Sequence, residues 1–244
     1  MAQSPAAAIN PPSAAAQERI RHIIEASATV LAREGYAGTS MKDIAREAGV
    51  AQGLIHYYFG SKEDLVLAVV RQACAEMLEE TRKSFSEAQG PPLVRAWAGL
   101  QAAEKRSAER PELFRLLIEM APMAHNNPAL RAQMQELYAN LVDEVTDMVE
   151  ELNQQLPTPL PIPTRDFAGV IIGAIDGLAL RGQVEPETDQ AALYRALGFL
   201  LLSSMTASYA IAGLPLPPVD QLSQLLGIPA SDDVAPAAAA SPEA

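Results

Sequence analysis

Apolar residues recur at the spacing of a helical face along most of this chain, and nowhere do they fall into the two-residue alternation of a strand. From Gln17 onward Ile20, Ile23, Ile24, Ser27 and Leu31 line one face, and Gly35 supplies a stop. Ser40, with Asp43 three residues on, has the form of a capping box, so a second helix is predicted there, with Ile44 and Ala45 inward and a break at Gly49. A short third helix is predicted from about Gln52 to Phe59. Ser61 and Asp64 repeat the capping signature, and Leu67, Val70, Cys74 and Leu78 carry a long fourth helix to about Glu87, before Gly90, Pro91 and Pro92. Further helices are expected near 93–108, 111–124, 127–155, 164–183 and 188–212. Residues 157–163 hold four prolines and are expected to be an extended linker. A short amphipathic piece at 219–226 precedes a tail with nothing to build a core from.

An all-α fold follows, and 244 residues are enough for a small module joined to a larger one. Hydrophobic residues make up 49% and charged residues 20% of the chain, the balance of a packed globular protein. A single cysteine, Cys74, allows no internal disulfide and no paired metal ligands, which points to a reducing compartment. The opening MAQSPAAAINPPSAAA lacks the basic start and apolar block of a secretory signal, so a cytoplasmic protein is expected. Residues 196–219 carry no charge and are long enough for a membrane span, but Ser203, Ser204, Thr206 and Ser208 dilute them, and a helix buried on all sides by partner helices is the expectation.

A formal charge of -12 argues at first against nucleic acid, since DNA affinity rests largely on Lys and Arg meeting phosphates. Its distribution qualifies that. Residues 1–60 hold five basic groups against five acidic ones, and all the excess negative charge lies beyond them. Within residues 40–59, helix, glycine turn and short helix follow one another, the layout that lets one helix lie in a DNA major groove while the preceding one braces it. On the third helix Ile55 and Phe59 point inward, while Gln52, Gly53, His56 and Tyr57 look outward.

Residues 35–65, GYAGTSMKDIAREAGVAQGLIHYYFGSKEDL, combine a Gly-aromatic turn, an Ile-Ala pair in helix two, a Gly in the third helix, a Tyr-Phe pair and a Ser-Lys-Glu start to helix four. In these features the chain resembles the TetR family of regulators, strongly over residues 17–66. Beyond them PELFRLL, NPALR and AIDGLALRG carry a fainter likeness, the last to the family's dimer-forming segment. The resemblance implies a helix-turn-helix DNA-binding domain at 17–62 and a ligand-binding and dimerisation domain at 63–228, while composition alone makes 1–16 a disordered Ala/Pro arm and 229–244 a disordered tail.

It also implies DNA contacts. Ser40 would meet a phosphate, a role compatible with capping; Tyr57, Tyr58 and Lys62 would meet phosphates; Gly53 would allow close backbone approach; and His56 would face bases or backbone. Tyr58 serves equally well as core packing. Gln52 alone on the outward surface has an amide able to make a bidentate base contact. The chain departs from the family with Ala51 and Leu54 where small polar residues are common, and Leu54 is expected to touch thymine methyls.

Gly169, Gly173 and Gly177 stand four apart, on one stripe of a helix, where each costs about 1 kcal/mol relative to alanine. Close packing of another helix would compensate, either within the chain or, as expected here, at a dimer interface shared with Leu197 and Leu201. The three histidines, His22, His56 and His125, have no nucleophile or acid partner in any motif, so neither catalysis nor a metal or other cofactor is expected. The family resemblance implies a cavity in the middle helices, with Trp97, Phe114, Met120, Met123, His125, Tyr138, Phe167 and Asp176 as candidates to line it, although each large apolar one also fits an ordinary core. The function expected is a ligand-responsive regulator, a repressor that binds a palindromic operator as a homodimer and is released by a small apolar or amphipathic molecule. The competing reading is a dimeric all-helical carrier or enzyme without a DNA role.

Overall fold

A computed structural model describes residues 13–215, and all their regular structure is helical. The helices are α1 (Ala14–Gly38), α2 (Met41–Ala48), α3 (Gln52–Phe59), α4 (Lys62–Glu87), α5 (Pro92–Glu109), α6 (Pro111–Asn126), α7 (Pro128–Asn153), α8 (Thr164–Val184) and α9 (Gln190–Ile211). The amphipathic piece expected at 219–226 and the tail at 229–244 lie outside the described residues. So does most of the arm, but residues 14–16 are helical. Ser13 caps α1 by accepting from the Ala16 amide at 3.3 Å, so the alanines after it, the best helix formers, enter the helix three residues before Gln17.

Gly35, at φ 68° and ψ 178°, breaks α1 before one last turn. Thr39 then closes the end, its hydroxyl donating to the Gly35 carbonyl at 2.7 Å. The capping box of α2 is complete: the Asp43 amide donates to Ser40 Oγ at 3.2 Å and the Ser40 amide to Asp43 Oδ2 at 3.3 Å. Gly49, left-handed at φ 64°, turns the chain toward α3. Ile23, Val30, Ile44, Ile55 and Leu65 meet with no exposed surface, and Val50, Tyr58 and Phe59 pack around them. Fully burying a side chain of this size stabilises the fold by roughly 1.5–3 kcal/mol.

The chain forms two compact units. One runs through Glu79 and takes in Arg106–Leu141 and Ala179–Pro186; the other combines Glu80–Lys105, Val142–Leu178 and the residues from Glu187 onward. In the first, α1 packs on α2 and on α6, so the three-helix head shares its unit with the start of α4, with α6 and with the first half of α7.

In the second unit α9 turns Tyr194, Gly198, Leu202, Met205 and Ser208 inward. At Gly198 the Trp97 ring of α5 lies against the backbone so closely that an added Cβ would come within 2.8 Å of its Cε3 atom. Within the single chain the expectation of a helix buried on every side is corrected: Phe199, Leu200 and Ile211 are 51%, 66% and 64% exposed. Helix α8 likewise buries Ala168, Ile172 and Ile175 and leaves Val170 66% exposed. By length and composition α8 and α9 would each be able to cross a membrane, but each also has a face packed inside the chain.

The segment 157–163 is a series of bends rather than an extended linker. The Ser208 hydroxyl accepts from the Thr158 amide at 2.9 Å and donates to the Thr158 carbonyl, and Asn153 Oδ1 accepts from the Leu160 amide at 2.7 Å. Backbone groups that neighbouring prolines leave without helix partners are thus satisfied by side chains of α7 and α9.

Candidate nucleic-acid interface

On α3 the inward residue is Ile55, fully buried, and the outward surface carries Gln52, Gly53, His56 and Tyr57, all exposed. Tyr57 is 80% exposed and meets the half-buried Tyr58 edge to face at 5.2 Å between ring centroids. An added Cβ at Gly53 would have no neighbour within 4 Å, so the helix leaves a bare notch there. Leu54 is half-buried at the edge of this surface. Gln52 Nε2 lies 3.4 Å from His56 Nε2, one turn along. Ser40 is exposed at the start of α2, and its hydroxyl holds the Asp43 carboxyl below the usual carboxylate range.

Lys62, expected to reach toward phosphate, is half-buried and turned onto the end of α1. Its ammonium donates to the Tyr36 carbonyl and sits 4.0 Å from the centre of the Tyr36 ring. Burial pushes its pKa down. The Tyr36 hydroxyl donates to Glu63 Oε1 at 2.6 Å. Burial, then the Glu63 carboxylate, raises the Tyr36 pKa, while the Tyr36 hydroxyl bond lowers that of Glu63. Tyr36, Lys62 and Glu63 therefore join the last turn of α1 to the first turn of α4.

Two further side chains hold the same region, and neither was singled out in the sequence. Arg115 of α6 donates to the Leu31 carbonyl at 3.4 Å, beside the last turn of α1 before Gly35. Gln133 of α7 donates to Asp64 Oδ1 at 2.9 Å, while Asp64 Oδ2 accepts from the Ser61 hydroxyl at 2.6 Å. Arg71 in turn donates to the Gln133 carbonyl at 2.8 Å and to Glu136 at 2.9 Å. The capping signature gave away Ser61 and Asp64; nothing local pointed to Gln133 or Arg115.

The residues named for a ligand cavity divide between the two units. Phe114, Met120, Met123, His125 and Tyr138 belong to the first, and Trp97, Phe167 and Asp176 to the second. Phe114 and Met120 are buried; Met123, Tyr138, Phe167 and Asp176 are half-buried. Trp97 is buried and lies against the notch at Gly198, and His125 is exposed at the end of α6. On α8, added Cβ atoms at Gly169, Gly173 and Gly177 would each meet nothing within 4 Å, so no neighbour inside the described chain fills that stripe. Leu197 and Leu201 of α9 are half-buried.

Two family models account for most of the described chain: bacterial regulatory proteins of the tetR family over residues 23–69, and the C-terminal part of BetI-type transcriptional repressors over residues 92–205. The chain belongs to the TetR family. It is a transcriptional regulator with an N-terminal helix-turn-helix, and its relatives are regulators rather than enzymes. The regulator BetI of Paraburkholderia phymatum is 26% identical over 197 residues, covering 78% of this chain and 95% of that protein. BetI of Rhizobium meliloti is 30% identical over 128 residues, 45% of this chain and 62% of its own. Among solved structures, the regulator FadR from Bacillus subtilis, in complex with stearoyl-CoA, matches with a TM-score of 0.62 and 22% identity over 75% of this chain and 98% of that one. A regulator from Saccharomonospora viridis in complex with choline matches with a TM-score of 0.61 and 18% identity over 76% of this chain and 96% of that one. These two share the fold of this TetR-family regulator.

Proposed function

We propose that this TetR-family regulator is a cytoplasmic repressor that binds a palindromic operator as a homodimer and is released by a small apolar or amphipathic molecule. The observation that carries the DNA reading is the face of α3: Gln52, Gly53, His56 and Tyr57 are exposed together above a head whose core closes without them. Gln52 reads base edges, Leu54 lies against thymine methyls, and Tyr57, Tyr58 and the Ser40 hydroxyl meet phosphates. Lys62 adds positive charge at the start of α4 from its seat on Tyr36. Equal numbers of acidic and basic groups in residues 1–60 make each half-site weak, so affinity depends on two heads acting together.

The open stripe of Gly169, Gly173 and Gly177 and the exposed Val170, Phe199 and Leu200 support a second copy as the partner of α8 and α9, with Leu197 and Leu201 at its margin. For the effector, buried Phe114 and Met120 suit an apolar portion, and the complexes of two proteins of the same fold with stearoyl-CoA and with choline support a small amphipathic ligand. Helix α4 carries the signal, since it starts at the head and continues into the second unit. An effector that fits only a shifted α4 would alter the spacing of two recognition helices; moving the population from 1:99 to 99:1 takes about 5.5 kcal/mol of differential affinity.

Selection of bound sequences from random duplex DNA tests this. A palindrome with two half-sites about one helical turn apart is expected. Failure to enrich any sequence, with binding to random DNA that does not respond to salt, would overturn the DNA reading.

A further inference from the structure

The function above uses Gln52 as the base reader and leaves open what His56 does beside it. Gly60 ends α3 at φ 71°, its amide donating to the His56 carbonyl at 3.0 Å. The His56 ring closes back on the same glycine, with Nδ1 3.2 Å from the Gly60 carbonyl. A carbonyl only accepts, so the hydrogen of the neutral ring sits on Nδ1 and Nε2 presents a lone pair. That lone pair lies 3.4 Å from Gln52 Nε2, an amide nitrogen that only donates. The spacing of four residues puts the two side chains one above the other on the outward face.

We infer that His56 is a positioning residue that takes up one amide hydrogen of Gln52 and so restricts Gln52 to adenine. The inference rests on the reading of Gln52 as a base contact. With one N–H committed to His56, Gln52 keeps one acceptor, Oε1, and one donor. That pair complements adenine, which offers N6–H as donor and N7 as acceptor in the major groove. Guanine offers two acceptors there, O6 and N7, and would call for both amide hydrogens. The contact to His56 also settles which way round the amide lies before DNA arrives, which lowers the ordering cost of the base contact. The ring itself is held by the backbone of the C-terminal glycine, so the orientation passes from the end of α3 through His56 to Gln52.

Three proteins, the natural chain, Gln52→Ala and His56→Ala, are put through the same selection from random duplexes. Gln52→Ala is expected to erase an adenine preference at one position of each half-site. His56→Ala is expected to bind the same sites but to let guanine rise at that one position by roughly fivefold relative to adenine, a partial loss of the discrimination a bidentate pair provides. If Gln52→Ala erases the preference and His56→Ala leaves the profile unchanged, or changes a different position, the reading of Gln52 stands and the role of His56 falls. If Gln52→Ala changes nothing, both fall. A second measurement needs no DNA: long-range nitrogen–proton correlations of the imidazoles, of which the chain has three, assign the His56 tautomer once His56→Ala removes its signals. A hydrogen on Nδ1 is expected; a neutral ring protonated on Nε2 overturns the inference.

Discussion

The head formed by α1, α2 and α3 and the pair of long helices α8 and α9 treat their apolar residues in opposite ways. In the head, Ile23, Val30, Ile44 and Ile55 are completely covered by the chain itself, and the exposed surface of α3 is polar apart from its tyrosine ring. On α8 and α9, one face is buried while Val170, Phe199 and Leu200 stay more than half exposed. Glycines show the same contrast at closer range. Gly198 is filled by a tryptophan of the same chain, whereas Gly173 faces open space. The head is therefore complete as a folded object, and α8 and α9 are complete only toward the interior. On the function proposed above, a regulator with a neutral head would gain most from a second copy seated on those exposed faces.

The sharpest way to break this contrast is to fill the open stripe. A Cβ added at Gly173 meets no atom of its own chain, so Gly173→Phe is expected to leave folding and the thermal transition of the isolated chain nearly unchanged. It should nevertheless halve the mass seen in sedimentation and weaken operator binding by at least ~100-fold, because two linked heads lose their mutual advantage. A Gly173→Phe variant that sediments as the natural protein does would remove α8 from the interface. Gly198→Ala probes the sealed side. Its Cβ would crowd Trp97 Cε3 at 2.8 Å and Leu100 at 3.2 Å, and Trp97 is 5% exposed, so neither has room to withdraw. A loss of about 1–3 kcal/mol in urea denaturation is expected, recovered in large part by Trp97→Leu in the same chain. No recovery in the double variant would mean that the ring is not what Gly198 accommodates.

The legible part of this molecule was whatever is decided within one turn of chain. Ser40 with Asp43 and Ser61 with Asp64 marked two helix starts because a cap joins residues three apart, and the outward face of α3 followed from Ile55 and Phe59, one turn apart. The long-range joints were silent. Tyr36 reaches Glu63 across 27 positions, Gln133 reaches Asp64 across 69, and Arg115 reaches Leu31 across 84; side chains on different helices carry no mark of which turns will meet. Helix α9 misled for another reason. Its inner residues, Tyr194, Leu202 and Met205, and its outer ones, Phe199 and Leu200, are equally apolar, so composition offered no contrast from which one buried face could be told from two. Trp97 suits either a cavity or a core in sequence, because large adaptable side chains serve both, and its contact with Gly198 joins two helices that carry no local mark of meeting.

The joint between Tyr36 and Glu63 gives the smallest and most specific test, since it ties the finished head to the first turn of α4. Tyr36→Phe keeps the ring beneath Lys62 and removes only the hydroxyl that donates to Glu63. At neutral pH it is expected to cost about 1 kcal/mol of stability, less than a buried bond to a charged group because both side chains are partly exposed. The pH dependence has a definite sign. The folded-state pKa of Glu63 lies below its ordinary value of 4.5, so its contribution is present above that value and is lost as pH falls through the folded one. The pKa of Tyr36 is raised, so its contribution is present below the ordinary value of 10 and is lost as pH rises above it. Plotted against pH, the difference in urea midpoint between the natural chain and Tyr36→Phe should be flat from about 5 to 10 and shrink on both sides. Taking the difference removes the titrations the two proteins share. A difference that does not change at either end would show that the hydroxyl bond is not made in solution, and that the last turn of α1 is held to α4 by Lys62 alone.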